Sequence, residues 1–174
     1  MLDVPAIPDG HYVPWTGELP MTASGHSYTP TEEAAMAVIR RWCDEGWTKG
    51  NLAVADEIIH PSFKVHGAGG QVVEPGIEGL KGLIAAWRTG FPDAVQRVDD
   101  IFAVGDKVCV RLTWIGTHLG EFMGVPASGK SVSVGTIGID RVVDGKVVEG
   151  WGELDMLGLM TAIGGVAPTR SSGS

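Results

Sequence analysis

The sequence predicts an α+β domain: a curved, mostly antiparallel sheet wrapped around N-terminal helices. Three observations carry that prediction. Apolar residues recur at helical spacing in the first half, at Ala35, Val38, Ile39, Trp42 and Cys43 and again at Ile77, Leu80, Leu83, Ile84 and Trp87. From Lys107 to Ile115 the period changes to two. Val108, Val110, Leu112 and Trp114 share one face there, and Cys109, Arg111, Thr113 and Ile115 the other. Asp144-Gly145 then joins two further alternating runs, and Asp-Gly between such runs is the strongest short-range hairpin signal. A sheet curved over helices leaves a conical cavity, a shape that holds small ligands.

The chain has 174 residues, the size of one domain, and 44% of them are hydrophobic, enough for a sizeable core. Its net charge is −8, with no basic cluster, which argues against a nucleic-acid backbone as partner. No run approaches the roughly 18 apolar residues of a membrane span. The N-terminus shows neither a basic region nor an apolar stretch of signal-peptide type. Cys43 and Cys109 form no disulfide framework or metal-binding spacing, and a cytoplasmic setting fits.

Residues 1–28 hold Pro5, Pro8, Pro14 and Pro20 without helical or strand period. They read as an extended arm anchored by Tyr12 and Trp15, lying on the domain or a partner subunit. The domain itself spans residues 29–165. Thr29-Pro30-Thr31-Glu32 opens its first helix: Thr29 is the N-cap, Pro30 takes the first helical position and Glu32 closes a capping box. Trp47 extends the stripe before Gly50 ends it. Asn51 caps a short second helix carrying Leu52, Ala55, Ile58 and Ile59, and His60-Pro61 stops it. Ser62–His66 is a short strand. The glycine-rich loop after it lacks a strand-to-helix phosphate fingerprint, so no nucleotide site is expected. A third helix covers Pro75–Phe91. Strands follow at Val95–Val104, Lys107–Ile115, Ser131–Val143 and from Lys146 to about Trp151–Asp155. A terminal helix, Met156–Ile163, ends at Gly164-Gly165, and residues 166–174 are a disordered tail.

The hairpin carries the first chemical expectation. With Asp144 and Gly145 as a two-residue loop and a regular ladder, Asp140 faces Glu149 and Gly138 faces Trp151. Like charges across a ladder raise a carboxyl pKa or enclose a cation, and a raised pKa suits acid/base work. The alternative is two side chains that are wet near a hairpin end or share an arginine.

Several stretches together resemble a known family. Gly116-Thr117-His118, Gly120-Glu121-Phe122, Gly124, Pro126 and Ser128-Gly129-Lys130 resemble the turn-rich centre of SnoaL-like polyketide cyclases, with their ester-cyclase-like members. Asp144-Gly145-Lys146, Glu149, Trp151 and Asp155 resemble the family's closing hairpin, and Phe91-Pro92-Asp93 and His60-Pro61 its upstream landmarks. The resemblance covers about residues 33–164. It implies the cone fold shared with nuclear transport factor and ketosteroid isomerase, no metal and no organic cofactor. It also implies a hydrophobic, carbonyl-bearing substrate and a homodimer through the outer sheet face. Family cyclases close a ring by intramolecular aldol condensation: a carboxylate abstracts an activated proton while a histidine assists the developing enolate. By the same resemblance the aspartate's position is Gly152 here and the histidine's is Gly138. A one-residue bulge shifts the register and lets Asp140, Glu149 or Glu153 take over; without one, the two glycines enlarge the pocket.

The candidate catalytic residues are therefore His66, His118, Asp140 and Glu153. His66 is a base or hydrogen-bond donor, or else a rim histidine. His118 assists the reaction or bonds its own turn. Trp87, Trp114 and Trp151, with Glu149 and Asp155, are candidate substrate-binding residues, the tryptophans as core or pocket wall and Asp155 alternatively as a helix cap. Arg111 is read as an ion-pair partner of the acidic hairpin, or else a substrate clamp, and Cys109 as a buried small hydrophobe. The reaction class is proton transfer (cyclisation, isomerisation, dehydration or hydrolysis), as in a lyase or isomerase; a non-catalytic binding protein is the alternative.

Overall fold

The computed structural model describes residues 27–67 and 72–166. The expected arm, apart from Ser27 and Tyr28, and the tail beyond Val166 lie outside the described residues. Helix α1, Pro30–Arg41, starts as its sequence dictates: Thr29 Oγ1 accepts the Glu32 N–H at 3.3 Å, and the Glu32 carboxylate accepts the Thr29 N–H at 2.9 Å. The helix does not simply fray toward Gly50. It widens into a π-helical segment, Trp42–Thr48, a geometry common at functional sites. Arg88 holds the end of that segment by donating to the carbonyls of Trp47 and Thr48.

Helix α2 is shorter than expected, Val54–Ile58, and its N-cap is Ala53, not Asn51. Asn51 instead turns its carboxamide to Glu45. Strand β1 runs Ile59–His66, so His60-Pro61 ends the helix by entering the strand directly. A two-residue strand, β2 (Val72–Val73), pairs with the end of β1. Helix α3, Gly76–Gly90, buries Leu80 and Ile84 but leaves Leu83 half exposed. Strands β3 (Val95–Val104), β4 (Lys107–Thr117), β5 (Ser131–Val143) and β6 (Lys146–Leu154) follow, then α4 (Met156–Ile163).

The six strands form one sheet in the order β2-β1-β6-β5-β4-β3, antiparallel except for β1 beside β6. The architecture is α+β, with α1 laid across β3, β4 and β5 and α3 against β1. The core lies between these helices and the concave face, where Val108, Val110, Leu112 and Trp114 are all buried. The opposite face of the same strands carries Phe102, Ile137 and Ile139, all substantially exposed.

The β5–β6 hairpin turns on Asp144 and Gly145, both at positive φ (49° and 72°), with Val143 opposite Lys146. The ladder beyond it is not regular. Val142 pairs with Val147 but Arg141 pairs with Glu149, so Val148 is an extra residue on β6. Every partner past the bulge moves by one. Asp140 faces Gly150 and Gly138 faces Gly152. The expected Asp140–Glu149 pairing is therefore absent; Glu149 stands opposite Arg141 on the outer face.

Candidate functional site

Strand alternation on β5 points Asp140 inward, and the bulge decides which β6 residues lie opposite it. On β5, Val132, Val134, Thr136, Gly138 and Asp140 share the concave face, and Asp140 ends that row beneath the helices. Two chambers that share Trp47, Gln96, Thr136 and Gly152 form one tapering cavity. The inner chamber, about 160 Å³, has Asp140 at its base with Cys43, Trp42, Phe63 and Val65 around it. The outer chamber, about 300 Å³, is walled by Trp47, Trp87, Trp114, Leu83 and Met156. Together they fall in the size range of small-molecule sites.

Asp140 has no hydrogen-bond donor and no cation beside it among the described residues. Its carboxyl is reached from the chamber but lies deep in the apolar base. Burial alone pushes its pKa up to about 7. Cys43 shares that base. Burial, and then the negative charge on Asp140, push its thiol up to about 12, so it remains protonated and inert.

The glycines around Asp140 shape access to it. A Cβ on Gly150 would stand 2.8 Å from Asp140 Oδ1, so this residue must lack a side chain for the carboxyl to sit where it does. A Cβ on Gly152 would meet nothing within 4 Å, and one on Gly138 would lie 3.9 Å from Asp140 Oδ2. The Gly138–Gly152 pair is thus a side-chain-free gap leading to the carboxyl.

Four of the other expected site residues gather instead on the opposite face of the sheet, where His66, Trp151 and Glu153 line an outer pocket of about 500 Å³ and Glu149 stands beside His66. His66 lies on the outer face, its Nε2 2.8 Å from Glu149 Oε1 and its ring stacked on Trp151 at 4.7 Å. The Trp151 ring is also outside, with Lys107 Nζ 5.4 Å from its centroid; its backbone borders the inner chamber. Glu153 pairs opposite Ile137 on that outer face and is exposed. His66, Glu149, Trp151 and Glu153 are therefore separated from Asp140 by the sheet, because strand alternation puts neighbouring residues on opposite sides.

His118 is fully buried. Its Nδ1 accepts the Ser128 N–H at 3.3 Å and lies 3.1 Å from Ser128 Oγ, while its ring packs on Phe91. It pins the 117–130 connection. Asp155 caps α4 by accepting the Gly158 N–H at 2.8 Å. Arg111 pairs with Asp99 and Asp100 of β3, not with the hairpin. Cys109 is half-buried on the outer face and not in the core. Trp87 and Trp114 do line the cavity, edge to face at 5.0 Å.

Four cavity residues were not singled out from the sequence: Trp42, Trp47, Gln96 and Thr136. The helical stripe already turned Trp42 and Trp47 inward; what it did not show is that the π-helical segment makes them walls of a cavity. Gln96 breaks the alternation of β3 as a polar residue on its concave face, a signal legible once the face is known. Among the described residues, no group of three or more His, Cys, Asp or Glu side chains is arranged to hold a metal ion. No helix among them is long and apolar enough to cross a membrane.

With this geometry established, the known proteins it matches are informative. The sequence profile of the SnoaL-like polyketide cyclases matches residues 37–163. The solved structure of a protein assigned to the SnoaL-like polyketide cyclases, from Jannaschia sp. CCS1, is 34% identical. It matches over 83% of this chain and 99% of its own, with a TM-score of 0.75. AclR from Streptomyces galilaeus, assigned as a hydroxylase, is 28% identical over 80% of this chain and 87% of its own, at 0.72. IdmH from Streptomyces antibioticus, assigned as a polyketide cyclase, is 30% identical over 75% and 98%, at 0.67. No curated relative matches the chain. The chain belongs to the SnoaL-like polyketide cyclase family.

Proposed function

We infer that this protein is a cofactor-independent enzyme that moves a proton on a mostly apolar, carbonyl-bearing small molecule, with Asp140 as the acid/base group. One observation carries this reading: a lone carboxyl, with a pKa near 7, at the base of a tryptophan-walled cavity. A carboxylate in that state takes a proton from carbon next to a carbonyl and can return it elsewhere, as cyclisation, isomerisation or dehydration requires. The apolar walls hold the substrate and exclude water. Asp140 stands two residues along the concave row from Gly138, and so does the work expected at Gly152 from deeper in the cone.

The test uses 2-tetralone, a bicyclic enolisable ketone, in deuterated buffer, with exchange of its α-protons followed by NMR. The wild type accelerates exchange, and Asp140→Asn lowers the catalysed rate at least about 100-fold. His66→Ala leaves it unchanged, because His66 lies across the sheet. Undiminished exchange in Asp140→Asn removes the residue from the reaction.

The Gly138–Gly152 gap favours a second reading, a non-catalytic binding protein on the same scaffold. Saturable quenching of tryptophan fluorescence by the ketone, with no exchange above buffer, supports it. The exposed outer sheet face is assigned to a second copy of this chain, and the two free cysteines suit a reducing, cytoplasmic setting.

A further inference from the structure

The geometry points to Gln96 as the residue that holds the ligand's carbonyl oxygen while Asp140 takes the proton. Gln96 lies on β3 opposite Trp114, and its side chain borders both chambers. Its backbone N–H donates to Thr48 Oγ1 at 2.9 Å, which ties the strand to the π-helical segment and fixes where the side chain starts. The carboxamide itself is unpartnered. Its Oε1 is sealed from solvent with no hydrogen-bond partner among the described residues. A buried amide left so is costly, and its oxygen and nitrogen ends can exchange by rotation about the last side-chain bond. The oxygen is the sealed end, so the NH₂ is the end left to reach the cavity, where a ligand's acceptor oxygen competes with water for it.

The chemistry of the site selects which ligand group that is. Removal of a proton beside a carbonyl moves negative charge onto the carbonyl oxygen, and a neutral N–H donor in a low-dielectric cavity stabilises that oxygen more strongly than water does. In this chain the position expected for the assisting histidine is Gly138, which donates nothing from a side chain. Gln96 NH₂ supplies the missing donor from the opposite strand edge, with Thr136 beside it on the cavity wall. The substrate class that follows is a flat apolar frame with one enolisable carbonyl, its oxygen toward β3 and its acidic C–H toward Asp140. This inference rests on the Asp140 reading for its chemistry.

The experiment separates the two. 2-Naphthol mimics the enol, whereas 2-methylnaphthalene has nearly the same shape and no oxygen. Binding of each is followed by tryptophan fluorescence. The wild type prefers 2-naphthol by about tenfold, the worth of one well-placed hydrogen bond. Gln96→Met abolishes the preference by weakening 2-naphthol alone, and lowers kcat for 2-tetralone exchange more than it raises KM. Its melting temperature holds or rises, since no side-chain bond is lost. Asp140→Asn retains the preference. That outcome supports the role of Gln96 even where exchange shows Asp140 to be idle. A preference that survives in Gln96→Met, or that disappears only in Asp140→Asn, overturns the inference. So does a wild type that does not discriminate, or a Gln96→Met protein that melts several degrees lower.

Discussion

Asp140 and Gly150 face each other across the β5–β6 ladder, and the carboxyl of one occupies the space a side chain on the other would need. A Cβ at position 150 would stand 2.8 Å from Asp140 Oδ1 and 3.3 Å from Phe63 Cζ. Phe63 is buried and cannot yield cheaply, so Gly150→Ala forces the carboxyl out of place. The expected cost is about 1–3 kcal/mol of stability, as for other overpacked sites. Exchange of 2-tetralone falls in the fraction that remains folded. Gly152→Ala, whose Cβ meets nothing, changes stability by less than about 0.5 kcal/mol. Urea unfolding of both variants checks the contrast; equal stability would mean that Asp140 sits elsewhere.

The same carboxyl makes stability depend on pH. In the native state it keeps its proton up to about pH 7, while in the unfolded chain it releases it near the ordinary aspartate value of 3.8. Between these values the native state binds the extra proton, so stability is highest at the acid end and falls as pH rises toward 7. The shift corresponds to roughly 4 kcal/mol as an upper figure, at 1.36 kcal/mol per unit. Asp140→Asn removes this loss. The variant therefore gains on the wild type as pH is raised from 4 to 7.5, and the two converge below pH 4. Parallel curves across that range would show an ordinary carboxyl. In catalysis the sign reverses: the proton-abstracting form accumulates as pH rises through 7.

How far the sequence foretells this site follows from what each feature depends on. Periodicity and turn chemistry are local, so α1 with its capping box, α3, the four long strands and the Asp144-Gly145 hairpin were legible. The glycine opposite Asp140 was not, because its position depends on one extra residue, Val148, that no pattern marks. A regular ladder sets Asp140 against Glu149; the bulge sets it against glycine and sends Glu149 outside to His66. The π-helical geometry of Trp42–Thr48 was likewise unmarked, although the stripe that carries Trp42 and Trp47 was legible. Histidines misled for a different reason. A histidine beside a turn suits either catalysis or the turn's own hydrogen bonds, and only burial tells them apart.

His118 illustrates that choice. It is buried completely, and its main chain bonds across the loop base: its N–H to the Lys130 carbonyl and its carbonyl to the Gly129 N–H, both at 2.9 Å. Loss of the ring in His118→Ala empties the space beside Phe91 and frees the Ser128 N–H. The expected destabilisation is roughly 2–4 kcal/mol. Exchange activity per folded molecule, measured well below the new melting point, stays at the wild-type level. A variant with full stability but no exchange would return His118 to the chemistry.

The outer face gives the last prediction. Phe102, Cys109, Ile139, Trp151 and His66 align in register across five strands, an apolar row bordered by Arg111 and Glu153 on one side and Lys107, Arg141 and Glu149 on the other. Charges of both signs flank the row, so two copies related by a two-fold axis can oppose unlike charges while covering the row. Cys109 lies within it, between Phe102 and Ile139, and reports on that cover. Its thiol pKa is raised, by burial first and by Asp140 second, so it reacts slowly even when free; Cys43 does not react until the protein unfolds. Maleimide labelling of Cys109 is expected to slow further as protein concentration rises, in step with sedimentation of a dimer. Ile139→Lys places a charge in the row, and its labelling stays at the rate of the uncovered thiol whatever the concentration. If the wild type already labels at one rate from nanomolar to high micromolar concentration and sediments as a monomer, no second copy covers this face.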